Sequence, residues 1–249
     1  MRGVLVATAF LTRVPVPVPA GAADVGRAAR WFPLIGGLIG GASALVAWTM
    51  TEILDFPGEL TAMLVVALCA WATGAIHLDG VADTVDGLGG GRDREQVLRI
   101  MRDPRIGSYG AAALIFVIGV KVTAIAALLD RDAALPFIVA APAISRWTIS
   151  ALAAGLPYAR TEGGLGKAVT QERDIIGLVV ATAVTALIAI GALRVDALIV
   201  WAFAALIAVW IAGTARQRIG GVTGDVFGAS VELTETSVLL CGVLLTGRP

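Results

Sequence analysis

Three aspartates lie close together in residues 77–87, directly after a long apolar segment. If the helix predicted to end near Ile76 continues through this stretch, a turn of about 100° per residue places Asp79, Asp83 and Asp86 on one face. Three negative charges on one strip repel each other unless a cation neutralises them. Hard oxygen ligands suit Mg²⁺, or Mn²⁺ as the alternative, with water and substrate phosphate completing the shell. We therefore predict these aspartates as metal ligands and catalytic residues; the alternative is a solvated acidic helix end.

A second acidic group follows the glycine-rich residues 220–224. Asp225 and Glu232 are seven positions apart and so nearly in phase on a helix, with Gly228 between them allowing close approach to another helix. We predict that both complete the metal site, while Glu235 lies off this line at its edge. A plain helix start is the alternative reading of the glycines.

Basic residues between the two acidic groups are suited to a diphosphate, because guanidinium binds phosphate oxygens in bidentate fashion. Lys121 and Arg146 fall inside apolar segments, where an inward-facing functional role is the default and snorkelling to the interface is the alternative. Membrane topology alone also explains surface arginines. His77, the only histidine, is a further catalytic candidate as ligand or proton acceptor, ranked below the carboxylates. The predicted substrate-binding residues are Arg102, Arg105, Arg160, Lys121, Arg146 and Lys167.

The composition indicates what positions these residues. The 249-residue chain is 57% hydrophobic and 15% charged, and its mean hydropathy is +0.86, which is typical of a polytopic membrane protein. We predict an all-α bundle with about seven transmembrane helices, within a range of six to eight, forming a single membrane domain over residues 1–249. The 19 basic and 19 acidic residues cancel, so the net charge gives no reason to expect nucleic acid binding. The predicted spans are residues 31–50, 60–76, 110–129, 134–156, 175–193, 197–213 and 226–245.

The positive charges are unevenly distributed between the ends of these spans. Residues 1–30 contain four Lys or Arg, residues 77–107 five, residues 157–173 three and residues 214–235 two. By the positive-inside rule these segments face the cytoplasm and the C-terminus lies outside. We predict that residues 1–30 are cytoplasmic or interfacial, and that residues 77–109, 157–173 and 214–235 form the active site on the cytoplasmic side.

With these motifs in place, the chain resembles the cobalamin synthase family, also called adenosylcobinamide-GDP ribazoletransferases. The similarity runs nearly end to end, and together the motifs are highly specific. One departure is Pro104, where the family more often has Ser, and it removes only a hydroxyl contact. The matching segments are Phe10-Leu11-Thr12-Arg13-Val14-Pro15, Phe32-Pro33-Leu34-Ile35-Gly36, residues 77–87, Ile100-Met101-Arg102-Asp103-Pro104-Arg105-Ile106-Gly107, Tyr158-Ala159-Arg160 and Gly221-Val222-Thr223-Gly224-Asp225.

The resemblance implies an enzyme of cobalamin (vitamin B12) biosynthesis. Such an enzyme joins α-ribazole, or its 5′-phosphate, to adenosylcobinamide-GDP, forming adenosylcobalamin or its phosphate and releasing GMP. It implies Mg²⁺ as cofactor, the lipid bilayer as surroundings, and a multi-pass protein of the bacterial or archaeal cytoplasmic (inner) membrane. A homo-oligomer, or a complex with other cobalamin-assembly enzymes, stays open as a further partner.

Two other functions remain as alternatives. CDP-alcohol phosphotransferases, which make phospholipids, also carry Asp-Gly and spaced aspartates and also expel a nucleoside monophosphate. Their Ala-Arg after the first Asp-Gly is absent, since Val81 and Ala82 follow Gly80. A cation transporter would use the intramembrane charges along a pathway, but here the acids gather at predicted cytoplasmic ends.

Overall fold

A computed structural model describes residues 2–17, 22–164, 166–170 and 174–247. These residues form α-helices joined by short turns, and none of them belongs to a β-sheet; a single parallel bridge joins Tyr158 and Val222. The predicted all-α class is confirmed. The α-helices are α1 (Arg2–Leu11), α2 (Ala22–Ala28), α3 (Phe32–Trp48), α4 (Gly58–Thr73), α5 (Ile76–Gly90), α6 (Arg94–Ile100), α7 (Ser108–Leu129), α8 (Ala134–Gly155), α9 (Lys167–Thr170), α10 (Ile175–Leu193), α11 (Ala197–Ile219) and α12 (Gly224–Thr246).

Within the described residues, five helical stretches are long and apolar enough to cross a membrane, or six if the bent pair α4 and α5 counts as one span. The protein is therefore a multi-pass membrane protein. The stretches other than the bent pair are Val25–Ile53, Ser108–Leu129, Ala134–Gly155, Ile175–Ile219 and Gly224–Thr246.

The longest stretch, Ile175–Ile219, folds back on itself. Its 45 residues would extend about 68 Å as one straight helix, over twice the thickness of the bilayer core. The chain breaks instead at Arg194, which has a φ of 54°. Gly177 in α10 lies beside the C-terminal end of α8, whereas Leu193 packs with Ala134 at the start of α8. The end of α11 returns to the C-terminal end of α8. Counted as two crossings, this stretch gives seven in all with the bent pair, as predicted.

The apolar helix before the aspartates does not continue into them. Gly74 and Ala75 both have left-handed backbone conformations, with φ of 64° and 59°, and the axes of α4 and α5 differ by 90°. The apolar helix predicted to end near Ile76 therefore does not run on through the aspartates, because two successive left-handed residues turn the chain sideways. Since α5 begins at Ile76 and carries all three aspartates, their helical phase relation is retained.

Helix α8 lies at the centre of the bundle and packs against α3, α10 and α12. Close contact with α3 depends on Gly36 and Gly40, four residues apart: a Cβ on either would collide with backbone carbonyls of α8, including that of Pro142. Small residues at this spacing let two helix backbones approach within a membrane. The tight α3–α8 contact fixes the frame against which the other helices pack.

The two ends of the bundle differ in content. At one end, the Arg131 Nη1 donates to the carbonyl of Val243 at 2.7 Å, which joins the α7–α8 turn to the end of α12. At the other end, the Arg94 Nε donates to the Ile219 carbonyl at 2.8 Å and its Nη2 donates to the Ala159 carbonyl at 2.7 Å. The three segments predicted to form the active site therefore gather at one end of the molecule.

Candidate active site

Helices α5 and α12 cross where glycine faces glycine. A Cβ on Gly80 would lie 2.6 Å from the Asp225 carbonyl oxygen and 2.9 Å from the Cα of Gly228. This close crossing brings Asp79 and Asp83 of α5 within electrostatic range of Asp225 on α12. The structure thus unites carboxylates that are about 140 residues apart in sequence, as the two acidic motifs predicted.

Arg160 supplies the positive charge beside these carboxylates. Its Nη2 donates to Asp225 Oδ2 at 2.5 Å, and the Thr223 hydroxyl donates to the same oxygen at 3.1 Å. The bridge between Tyr158 and Val222 ties the segment that carries Arg160 to the start of α12. The Arg160 Nε is buried and donates to none of the described atoms. A buried guanidinium N–H without a partner is a spare donor for an anionic ligand.

Asp86 is engaged elsewhere. Its Oδ2 accepts from the backbone N–H of Gly107 at 2.7 Å and its Oδ1 from that of Gly110 at 2.8 Å. A carboxylate in this position satisfies orphan donors at the N-terminus of α7 and interacts favourably with the helix dipole. Both oxygens of Asp86 therefore hold the 101–107 loop and α7 in place, and its predicted role as metal ligand stays a prediction.

The donor set at the α5–α12 crossing fits a hard divalent cation in kind. Asp79 is exposed and Asp83 half-buried, four residues apart on one helix, and their oxygens suit Mg²⁺ or Mn²⁺. Within the part of the chain that the structure describes, however, no three His, Cys, Asp or Glu side chains stand close enough to hold an ion between them. Substrate phosphate and water would therefore have to complete the shell.

Four predicted or candidate residues form a separate charged cluster inside the bundle. The Lys121 Nζ donates to Glu232 Oε2 at 2.9 Å and to Glu235 Oε1 at 2.7 Å, and Arg146 pairs with the other oxygen of Glu235. All four side chains are buried, and their formal charges cancel. The structure therefore places Lys121, Arg146 and Glu232 in an internal ion-pair network near the middle of α7, α8 and α12. Their predicted substrate and metal contacts remain untested.

His77 lies between this network and the aspartates. It is buried, its Nδ1 is 3.5 Å from the Arg146 Nη2, and it lines a cavity together with Asp79. On a continuous helix His77 would point away from the aspartates, so it ranks below them as a candidate. The same cavity nevertheless reaches both His77 and Asp79.

The remaining predicted basic residues are at the surface. Arg102 pairs with Glu162 at 3.0 Å, and Arg105 pairs with Asp103 at 2.7 Å. Hydrogen bonds from the Arg105 side chain and backbone N–H lower the pKa of Asp103 to about 2. Lys167 donates to the carbonyl of Thr161 at 3.4 Å. These cations border the site, and diphosphate binding by Arg102 or Arg105 would require exchange of their carboxylate partners.

Two cavities meet at Asp79. One has a volume of about 230 Å³ and lies between α5, α12 and the 158–169 segment; the other is an open groove of about 630 Å³ between α5, the 101–107 loop and α7. Asp79 lines both, Arg160 and Asp225 line the first, and Asp83 lines the second. A reacting group at Asp79 can therefore be approached from two directions.

The similarity to known proteins covers almost the whole chain, including every segment of the site. The sequence pattern of the cobalamin-5-phosphate synthase family matches residues 3–244. The chain belongs to this family. An adenosylcobinamide-GDP ribazoletransferase of Leptothrix cholodnii is 40% identical over 94% of this chain and 92% of its own. Enzymes of the same name from Pseudomonas aeruginosa, 39% identical over 96% and 97%, and Thiobacillus denitrificans, 36% identical over 98% and 96%, are also similar. No solved structure matches the chain.

The match to the cobalamin-5-phosphate synthase family includes every predicted site residue, because all lie between residues 77 and 232. The family resemblance drawn from the motifs is therefore confirmed. These similarities favour neither the phospholipid-forming transferase nor the cation transporter.

Sequence reasoning missed two groups of residues. Arg94 and Arg218 hold the predicted active-site segments together by hydrogen bonds to backbone carbonyls. The Arg218 Nη2 donates to the carbonyl of Gly91 at 2.7 Å and to that of Leu88 at 3.1 Å. No local pattern distinguishes such arginines from others in the same loops. Apolar residues of the smaller cavity were also missed, because in a membrane protein they are indistinguishable from core: Phe10, Leu11, Ile76, Ile149, Val169 and Phe227.

Proposed function

We propose that this protein is an adenosylcobinamide-GDP ribazoletransferase, acting late in cobalamin biosynthesis. It transfers the adenosylcobinamide phosphate moiety to α-ribazole or its 5′-phosphate and releases GMP. The observation that carries the proposal is the convergence of Asp79, Asp83 and Asp225 with Arg160 at the edge of a cavity. Phosphoryl transfer requires this combination, because catalysis consists largely of positioning the phosphate and stabilising its charge.

The reaction is a displacement at phosphorus. A ribose hydroxyl oxygen of the ribazole forms a bond to the phosphorus on the cobinamide side of the diphosphate; this oxygen is not the 5′ one, which carries the phosphate when the acceptor is the 5′-phosphate. The bond from that phosphorus to the bridging oxygen breaks, and the electron pair leaves with GMP. The proton of the attacking hydroxyl has two acceptors on the cavity wall, Asp79 and His77. The spare Nε of Arg160 donates to a phosphate oxygen.

The same proposal includes a divalent cation, Mg²⁺ or Mn²⁺. One or two of the carboxylates of Asp79, Asp83 and Asp225 would bind it, and water and the diphosphate would complete the shell, because Mg²⁺ in proteins is commonly bound by one or two carboxylates plus substrate phosphates. When bound, the ion neutralises charge that develops on the departing phosphate oxygen. Among the described residues, the cation that pairs with one of these aspartates is Arg160, which contacts Asp225.

We also propose that this end of the bundle faces the cytoplasm. The basic residues of residues 77–107, 157–173 and 214–235 lie in segments that meet at this end. The positive-inside rule assigns such a surface to the cytoplasmic side, where nucleotide-activated substrates are available.

The test is GMP release by the purified full-length protein in lipid, given adenosylcobinamide-GDP with α-ribazole, with and without Mg²⁺. We expect release only when the acceptor and the ion are both present, and EDTA should abolish it. A CDP-alcohol with a lipid acceptor serves as the control substrate pair and is assayed by CMP release, which we expect to be absent. If correctly folded protein released no GMP with either α-ribazole or α-ribazole 5′-phosphate, the proposal would be overturned.

A further inference from the structure

The cavity of about 230 Å³ beside Asp79 has two kinds of wall. Asp79, Asp225 and Arg160 form a polar part, and Arg160 and Asp225 are joined by an ion pair. The rest is mainly apolar and aromatic, and includes Phe10, Ile149, Val169 and Phe227. A cavity with one charged wall and one apolar wall suits a ligand that carries a reactive polar group and an apolar ring.

The apolar wall is rigid. Phe10 stacks on Phe32 with ring centroids 5.4 Å apart and planes 9° from parallel. Ile149, Val169 and Phe227 belong to one buried hydrophobic cluster that joins α8, α9 and α12. A ligand that enters this cavity therefore meets a surface already fixed by core packing, which reduces the entropy lost on binding.

Size separates the two substrates of the proposed reaction. A cavity of about 230 Å³ can hold a nucleoside with a two-ring base, whereas a corrin ring with its peripheral amides is far larger. Because the carboxylates form one wall, a nucleoside whose base lies against the apolar wall would present its ribose hydroxyl to them.

We infer that this cavity binds the acceptor nucleoside, with its base against Phe10, Ile149, Val169 and Phe227. The inference rests on the proposed function and adds the location of one substrate. An apolar base loses little free energy on leaving water for such a wall.

The experiment fills the cavity at one position. Val169→Phe adds a ring to the apolar wall, and Val179→Phe, the same substitution at a site that is 62% exposed on α10, is the matched control. We expect Val169→Phe to raise the KM for α-ribazole about tenfold or more, with the KM for adenosylcobinamide-GDP unchanged. The Val179→Phe protein should match the wild type in both constants.

A gentler variant and a direct measurement keep the test decisive if Val169→Phe does not fold. Ile149→Ala removes apolar contact without adding volume, and we expect weaker α-ribazole binding by calorimetry with donor binding retained.

A raised KM for the donor instead of the acceptor in Val169→Phe would overturn the inference while GMP release upholds the proposed function. If the wild-type protein releases no GMP with any acceptor, the proposed function itself fails, so the two failures are distinguishable.

Discussion

Asp83 and Asp86 lie three residues apart on α5 and differ in what holds them. Asp83 is half-buried and feels the negative charges of Asp79 and Asp225. Asp86 is 8% exposed and accepts backbone hydrogen bonds from Gly107 and Gly110. The first arrangement suits a carboxylate kept for a cation, and the second suits one that organises a loop.

We expect Asp83→Asn to lower Mg²⁺-dependent GMP release by at least about a hundredfold, because a charged ligand is lost at the reacting phosphate. Its membrane insertion and thermal unfolding temperature should match the wild type. Asp86→Asn is the comparison: it directs an amide N–H₂ at the N–H donors of Gly107 or Gly110, so its unfolding temperature should fall. Near-normal GMP release by Asp83→Asn would remove that residue from the metal site.

Lys121 is the cation that the buried glutamates share. Among the described residues, Lys121→Met leaves Glu232 without an ion-pair partner and Glu235 paired with Arg146, and an uncompensated buried charge costs about 3 to 5 kcal/mol. We expect a lower apparent unfolding temperature in detergent and less protein in the membrane. Adding Glu232→Gln restores the charge balance and should recover part of the loss. An unchanged unfolding temperature in the single variant would show that the network contributes little to stability.

The two acidic motifs also show how much of the site the sequence predicts. Helical periodicity placed Asp79, Asp83 and Asp86 in phase, and the spacing of Asp225 and Glu232 placed them in phase as well. Periodicity cannot tell which turn of α12 faces which helix. Glu232, two turns beyond Asp225, therefore meets Lys121 of α7, while Asp225 meets Arg160.

For the helices, hydropathy predicts where a helix occurs more reliably than the direction in which it runs. The predicted spans at residues 134–156 and 175–193 match α8 and α10 within a residue. The sideways turn between α4 and α5 was missed, because Ala75 gives no sign of its left-handed conformation. The packing of α5 against α12 and α7 is what holds Ala75 in this conformation.

The α5–α12 crossing makes a prediction of its own. Gly80→Ala must push the helices apart, since its Cβ would meet the Asp225 carbonyl at 2.6 Å. Displacing Asp79 and Asp83 from Asp225 by part of an ångström should lower kcat about tenfold or more. Gly119→Ala on α7, where a Cβ meets nothing within 4 Å, should retain full activity. Equal activity of the two variants would show that the crossing distance is not critical.

At the scale of the whole molecule, the two ends of the bundle should be chemically distinguishable in cells. Glu162, whose side chain is 78% exposed, lies at the active-site end, and Asp132 lies in the exposed α7–α8 turn at the other. We expect a membrane-impermeant maleimide to label Asp132→Cys in intact cells and Glu162→Cys only after the membrane is opened. The wild type, whose Cys69 and Cys241 lie in apolar helices, is the background control.

The reverse labelling pattern would invert the proposed orientation. Arg248, predicted to lie outside, is beyond the described residues, so Asp132 takes its place as the marker of that side.

The internal charge network has a consequence for how the protein is made. Ribosomal synthesis delivers α7 with Lys121 and α8 with Arg146 to the membrane before α12 brings Glu232 and Glu235. Until the last helix arrives, the nascent bundle holds two cations without their anions. The charges of the network can therefore pair only after α12 has been synthesised and has entered the bundle.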